Sequence, residues 1–435
     1  MGFTLEELPP LQPTGKLPPQ PWMTRPETQT LLDALTADGT EVRFVGGCVR
    51  DAVANKTVED VDLATPDPPE TVIALLEAAD ITALPTGIHH GTVTAIVNDY
   101  KYEITTLRID LMTDGRRAKV AYTDDWIADA ARRDFTINTL SCTPDGNIYD
   151  PFHGLDDLGN KVVRFVGNAR DRIEEDILRL LRYFRFYAAY GKHPPDKAAL
   201  DACRIFAPKL PSLSAERIWR EFRRILLGPN PEDVITLLRS ERILDYVLPE
   251  AGPVGRLRMM SLLETKAINI DSVKPDPIRR LAAALNPEKP DPKSVAKHFK
   301  LSNKDAERLN AISTAQFVIS VETTEDELRR LLYTYKINIT RDVLLLIWAQ
   351  ELSTAENRGS LRTQAWLNHL SIIDTFEEPA FPLSGEDVLK LGIPSGRDVG
   401  TLLNAVENWW VSENFKASRE ACLNELKSQI KSRTQ

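Results

Sequence analysis

Two aspartates one residue apart, Asp60 and Asp62, follow closely on the diglycine turn of Val45-Gly46-Gly47-Cys48-Val49-Arg50-Asp51. On a strand, residues i and i+2 point to the same face. Two carboxylates so placed suit hard divalent cations, a pair of Mg²⁺ ions, held against a nucleoside triphosphate. Such ions activate an attacking hydroxyl and stabilise leaving pyrophosphate in an in-line displacement. Gly46 and Gly47 let backbone N–H groups approach a phosphate, and a helix N-terminus favours negative charge. Arg50, one short turn further on, can reach a triphosphate oxygen. Asp51 reads as a structural partner of that turn or as an acid in a helix first turn. Glu103, on a neighbouring strand, is either the third carboxylate of the site or a surface strand glutamate.

Arginines supply the second half of the chemistry. Arg133, in Arg132-Arg133-Asp134-Phe135-Thr136-Ile137-Asn138, is either a nucleotide contact or half of a solvated basic pair. Glu175-Asp176-Ile177-Leu178-Arg179-Leu180-Leu181-Arg182-Tyr183-Phe184-Arg185 places a charge at every third position of an apolar helix. The spacing puts Asp176 and Arg179 close together, with Arg182 and Arg185 swung progressively round the axis. An apolar helix with this many arginines needs anionic partners, either nearby acids or a ligand. An aspartate accepts from an exocyclic amine and an arginine donates to ring acceptors. Cytosine and adenine satisfy both groups, whereas uracil and guanine oppose them.

The elements that must position these groups change character along the chain. Up to about Asp157 the pattern is mixed. Strands are expected at 41–45 and 61–64, a helix at 69–79, and a hairpin of 92–97 with 100–107 around Asn98-Asp99. Asp110 to Lys119 is polar and glycine-containing and reads as a mobile loop. After Val166 the periodicity is helical. One long helix is expected from Glu174 to Tyr190, and another from a Ser214 N-cap to Leu227. The reading is therefore α+β: a small mixed-sheet domain with flanking helices, then a long all-α body.

Bulk properties narrow the class. The 435 residues allow two to four domains. An apolar content of 42% with 27% charged residues is that of an ordinary globular protein. No apolar run is long enough to span a bilayer. The net charge of −9 excludes a uniformly cationic nucleic-acid coat and leaves room for a local basic track. Four widely spaced cysteines make neither a disulfide framework nor a zinc site, and fit a reducing cytoplasm.

The run of motifs GGCVRD, DVDLAT, RRDFTIN, DPFHGLDDL, EEDILRLLR and SAERIWRE resembles the class II tRNA nucleotidyltransferases, the CCA-adding enzymes, and their relatives the bacterial poly(A) polymerases. The resemblance implies a nucleotidyltransferase head with a mixed sheet, followed by an all-α neck, body and tail. The corresponding ranges are 1–25 as a loose N-terminal arm, 26–160 as head, 161–230 as neck, and 231–435 as body and tail. Carried over by motif, Asp60 and Asp62 match the metal aspartates. Gly47, Arg50 and Arg133 match nucleotide-contacting positions. Asp176, Arg179, Arg182 and Arg185 match the helix that reads base and phosphate. Asp150 to Leu158 matches a hinge between head and neck, and Ser214 to Glu221 a motif supporting the neck.

The implied activity is template-independent addition of CCA to the tRNA 3′ end from CTP and ATP. The helical body would bind the tRNA acceptor arm, largely through shape and phosphate contacts. No protein partner or membrane is implied. The segment 108–119 resembles a flexible loop that the family associates with the terminal A. A poly(A) polymerase, a partial enzyme adding only CC or only A, and a catalytically silent RNA-binding relative remain the alternatives. In the tail, Lys416, Arg419, Lys427, Lys431 and Arg433 read first as a solvated amphipathic helix and second as RNA contacts. Departures from the family pattern include Cys48 after the diglycine, where alanine is more usual.

Overall fold

Alternation of apolar and polar residues builds the sheet that carries the aspartates. In β3 (Val61–Thr65), Val61 and Leu63 are buried while Asp62 between them remains partly open. A computed structural model describes residues 12–113, 118–267, 270–354 and 360–434. Within them the chain divides into two compact units, Met1–Pro249 and Glu250–Gln435. The expected head and neck therefore lie in a single unit, which also includes residues 231–249 of the range assigned to the body.

The first unit holds an eight-stranded sheet. Its strands are β1 (Gly15–Lys16), β2 (Arg43–Val45), β3, β4 (Thr82–Gly87), β5 (Thr92–Val97), β6 (Tyr100–Thr106) and, beyond a separate hairpin, β9 (Ser141–Cys142) and β10 (Asn147–Tyr149). The spatial order is β1-β10-β9-β2-β3-β6-β5-β4. β3 and β6 are parallel and the other neighbours antiparallel, so the sheet is mixed as expected. The β5–β6 hairpin turns at Asn98, whose φ of 53° is the left-handed conformation such a turn requires. The separate hairpin joins β7 (Arg108–Thr113) to β8 (Ala118–Tyr122). This corrects the reading of 110–119 as a loop. Its polarity misled because a two-stranded ribbon outside the main sheet has no need of an apolar face. Residues 114–117 lie outside the described residues.

The loose arm is also corrected for residues 12–25, residues 1–11 lying outside the described ones. β1 pairs with β10, and α1 (Pro21–Thr24) buries Trp22 edge-on against Phe44, with ring centroids 4.9 Å apart. Its apolar Leu17, Trp22 and Met23 have a core to enter.

Helices cover the sheet and extend from it: α2 (Pro26–Leu35), α3 (Gly47–Val53), α4 (Pro69–Ala78), α5 (Trp126–Ala131), α6 (Gly154–Gly159), α7 (Ala169–Glu175), α8 (Leu178–Tyr190), α9 (Lys197–Phe206), α10 (Ala215–Leu226), α11 (Pro231–Ser240) and α12 (Leu244–Val247). The single long helix expected from Glu174 is two helices. The chain breaks at Asp176, whose φ and ψ of −149° and 107° are extended. Ser214 stands at the N-cap of α10 but makes no capping hydrogen bond with its side chain.

The second unit is all helical among its described residues. Its interior holds an ionic cluster rather than apolar contacts alone. Arg279 bonds Glu264 and Asp342 at 2.8 and 2.9 Å, and Arg280 bonds Glu264 at 2.5 Å. All four side chains are almost fully buried, so each charge depends on its partner. A separate apolar cluster of Leu383, Val388, Leu402, Val406, Trp410, Cys422 and Leu426 holds the last three helices.

Candidate active site

The diglycine turn is dictated locally. Gly46 has φ +66° and ψ −116°, and a Cβ there would meet Arg133 Nη1 at 2.8 Å. Only glycine permits both that backbone and that approach. Gly46 N–H donates to the Leu140 carbonyl at 3.0 Å, tying the turn to the end of the RRDFTIN segment.

Arg50 projects back from α3 and is buried. It donates to Asp51 through Nε and Nη2 at 3.0 and 2.9 Å, and to Asn138 Oδ1 at 2.5 Å. It also lies 4.5 Å above the Tyr190 ring. Asp51 is the structural partner expected of it. Arg132 and Arg133 both pair with Asp129 of α5, at 2.7 and 3.2 Å, which aims them together. They are not a free basic pair.

Asp62 and Glu103 face each other in register across the parallel strands β3 and β6. Burial, and then the charges of Glu103 and Asp60 against the opposing pull of Arg133 and Arg50, push the Asp62 carboxyl up to about 6. Asp60, just before β3, and Glu103 are exposed. Among the described residues no three His, Cys, Asp or Glu side chains form a closed metal cage. The donor set nevertheless fits Mg²⁺, which is held by one or two carboxylates and completes its shell with water and substrate phosphate. Three hard oxygen donors that repel one another are what a cation would relieve.

A cleft of about 520 Å³ gathers these groups. Its lining includes Gly46, Gly47, Arg50, Asp62 and Arg133 from the sheet side, and Asp176, Arg179 and Arg182 from α8 and the break before it. Seven arginines line it against four carboxylates, a surplus suited to an anionic ligand. Asp60, Glu103 and Arg185 lie outside the lining.

Within the cleft the expected base readers already have partners. Arg217 of α10 donates to both carboxylate oxygens of Asp176, at 2.8 and 3.0 Å. Arg179 pairs with Glu175 and donates to the carbonyls of Arg172 and Arg132 at 3.0 and 3.2 Å. Arg182 pairs with buried Asp134 at 2.5 Å. Burial penalises the Asp134 charge, but Arg182 and hydrogen bonds from Asn138 and Arg182 outweigh it and hold its carboxyl below the usual carboxylate range. Arg185 faces the buried Glu221 at 3.1 Å, and burial pushes its guanidinium down to about 10. In this structure Arg185 fastens α8 to α10.

Sequence reasoning missed Asn138, Arg217, Arg220 and Glu221 as lining residues. All fall inside motifs already quoted, RRDFTIN and SAERIWRE, so position within those runs was the available signal.

Comparison with known proteins identifies the family. Residues 42–164 match the family model described as the poly A polymerase head domain, and 195–253 that described as the probable RNA and SrmB- binding site of polymerase A. The chain is 35% identical over 393 residues to the CCA tRNA nucleotidyltransferase 1, mitochondrial, of Danio rerio, covering 89% of this chain and 87% of that one. It is 32% identical over 411 residues to the CCA-adding enzyme of Streptococcus mutans, covering 93% and 97%. The chain belongs to the CCA tRNA nucleotidyltransferase family. Its fold is also that of a crystal structure of the Bacillus stearothermophilus CCA-adding enzyme in complex with CTP, with a TM-score of 0.73, 24% identity, and 94% and 99% of the two chains covered. Membership in the CCA tRNA nucleotidyltransferase family makes the protein an enzyme, a nucleotidyltransferase. The usual alanine of that family is here Cys48, whose buried thiol sits 3.4 Å from the Val45 carbonyl behind the turn. Burial pushes that thiol up to about 12, so it serves packing rather than reaction.

Proposed function

We propose that this protein adds C, C and A in turn to the 3′ end of tRNA, using CTP and ATP and releasing pyrophosphate. The observation that carries the reading is one cleft lined by Asp62, Arg50 and Arg133 on one wall and by Asp176 and Arg179 on the other. Carboxylate, phosphate-binding cations and a base-reading pair are all needed for the reaction, and each has a place there.

Asp60 and Asp62, with Glu103 as third carboxylate, would hold Mg²⁺. When bound, these ions lower the pKa of the RNA 3′-hydroxyl and neutralise charge building on the leaving pyrophosphate. Gly46 and Gly47 leave room for phosphate oxygens to meet the backbone. Arg50 and Arg133, fixed by Asp51, Asn138 and Asp129, present guanidinium donors to the triphosphate. Asp176 accepts from the exocyclic amine of cytosine or adenine, and Arg179 donates to the ring acceptor beside it. The RNA 3′-hydroxyl then gives up its proton to solvent and its oxygen bonds to the α-phosphorus, as the bond from that phosphorus to the bridging oxygen breaks and pyrophosphate departs.

The test is to incubate the protein with tRNA lacking its CCA end, Mg²⁺ and each nucleotide singly and together, and to sequence the products. Products ending in CCA support the reading, and removal of divalent ions should abolish them. Runs of A would support the second reading, poly(A) synthesis, which the name of the matched head-domain model favours. Four free, buried cysteines among the described residues support residence in a reducing compartment such as the cytoplasm. Among the described residues no helix is long and apolar enough to cross a membrane.

A further inference from the structure

The amphipathic helix α10 buries Ile218, Phe222, Ile225 and Leu226 on one side. On the other, Arg217, Arg220, Arg223 and Arg224 fan over about a third of the circumference, as 100° per residue dictates. Arg217 is spent on Asp176. Arg220, Arg223 and Arg224 are exposed, and among the described residues none has an ion-pair partner. Most other arginines of this unit that approach the cleft are matched to an acid, Arg50, Arg132, Arg133, Arg179 and Arg182 among them. Arg220 lines the cleft itself, while Arg223 and Arg224 lie up to one turn further along the same helix.

We infer that Arg220, Arg223 and Arg224 form a track for the phosphodiester backbone of the RNA strand whose 3′ end enters the cleft. The inference rests on the function proposed above and names a surface by which the RNA is held. Three observations carry it. The track is continuous with the cleft through Arg220. Its cations are unneutralised in a chain whose net charge is −9, so an anion must be met locally rather than through general attraction. Arg220 and Arg224 are four residues apart, ~6 Å along the helix axis, a spacing comparable with that of successive backbone phosphates. The favourable position of cations near a helix C-terminus accounts for Arg223 and Arg224 in part. It does not account for Arg220 in the middle of the helix.

Exposed arginines can be replaced without disturbing the core, so the test uses the full-length protein. Binding of tRNA lacking its CCA end is measured for wild type, for Arg223→Gln/Arg224→Gln and for the triple variant with Arg220→Gln, between about 50 and 200 mM salt. The dependence of log affinity on log salt should become shallower by about 0.7–0.9 for each phosphate that the variant no longer neutralises. In steady state the loss should fall on KM for RNA, on the order of tenfold for the triple variant at physiological salt. Lys101→Gln, an exposed cation on β6, controls for net charge and should leave the slope unchanged. An unchanged slope in the triple variant overturns the inference, and so does a fall in kcat with unchanged KM for RNA. Wild-type protein that adds CCA while the triple variant keeps its slope would refute the track alone. Wild-type protein that adds nothing to tRNA would refute the function it rests on.

Discussion

Asp176 and Arg217 are joined by a forked ion pair in which one guanidinium nitrogen serves both carboxylate oxygens. The group expected to read the nucleobase is thus already oriented and held from α10, 41 residues away. Nucleotide selection by Asp176 then means replacing or sharing that partner.

Asp176→Ala and Arg179→Ala should erode selectivity as well as rate. An unpaired buried polar group costs roughly 1–3 kcal/mol, so rejection of UTP and GTP should weaken by about tenfold or more. The measurement is kcat/KM for CTP, ATP, UTP and GTP on tRNA lacking its CCA end. A uniform loss across all four nucleotides would place base reading elsewhere.

Asp60→Ala and Asp62→Ala should abolish transfer while the protein stays folded. Single-turnover incorporation at saturating Mg²⁺, with circular dichroism as the check on folding, decides the matter. Glu103→Gln should raise the Mg²⁺ concentration needed for half-maximal rate. A normal rate at limiting Mg²⁺ would make Glu103 a surface residue.

Arg172 should act through Arg133. Its guanidinium donates to the Arg133 carbonyl at 2.7 Å and to that of Arg132, and it does not line the cleft. Arg172→Ala should raise KM for both CTP and ATP. In a double-mutant cycle it should add little to Arg133→Ala. Additive losses would show that Arg172 supports the fold independently of Arg133.

Asp134→Asn should cost about 3 kcal/mol at neutral pH, the lower end for breaking a buried pair, because the Arg182 side chain is 32% exposed. The Asp134 carboxyl is held below its unfolded value. Its contribution is therefore complete above the ordinary carboxylate range and is lost as pH falls through the lowered folded value. Denaturant unfolding at pH 7 and pH 3 should show the gap between wild type and variant narrowing at the lower pH. A gap independent of pH would contradict the assignment.

Much of the site was legible because its parts are encoded locally. The φ demanded of Gly46, the i, i+2 spacing of Asp60 and Asp62, and the alternation that placed Glu103 on a strand all depend on a few neighbouring residues. What was illegible depends on distant ones. Glu174 to Tyr190 satisfies helical periodicity throughout, with neither Gly nor Pro to mark the break at Asp176. At that break Asp176 is held by Arg217, from a helix that folds back against it. Likewise the sequence alone could not show that Arg185 faces Glu221, since their meeting depends on how α8 packs on α10.

The extended backbone at Asp176 interrupts the helix without uncoupling the two proposed base readers. Arg179 rides on α8, whose intrahelical hydrogen bonds fix it as a rigid jaw. Asp176 stands just outside α8, yet its carbonyl accepts from Arg179 N–H at 3.0 Å and its Oδ1 from Leu178 N–H at 3.1 Å, so it is pinned to the first turn. A pair coupled in this way keeps one spacing, so a one-ring pyrimidine and a two-ring purine would each have to bring the same donor and acceptor to it by their own placement in the cleft.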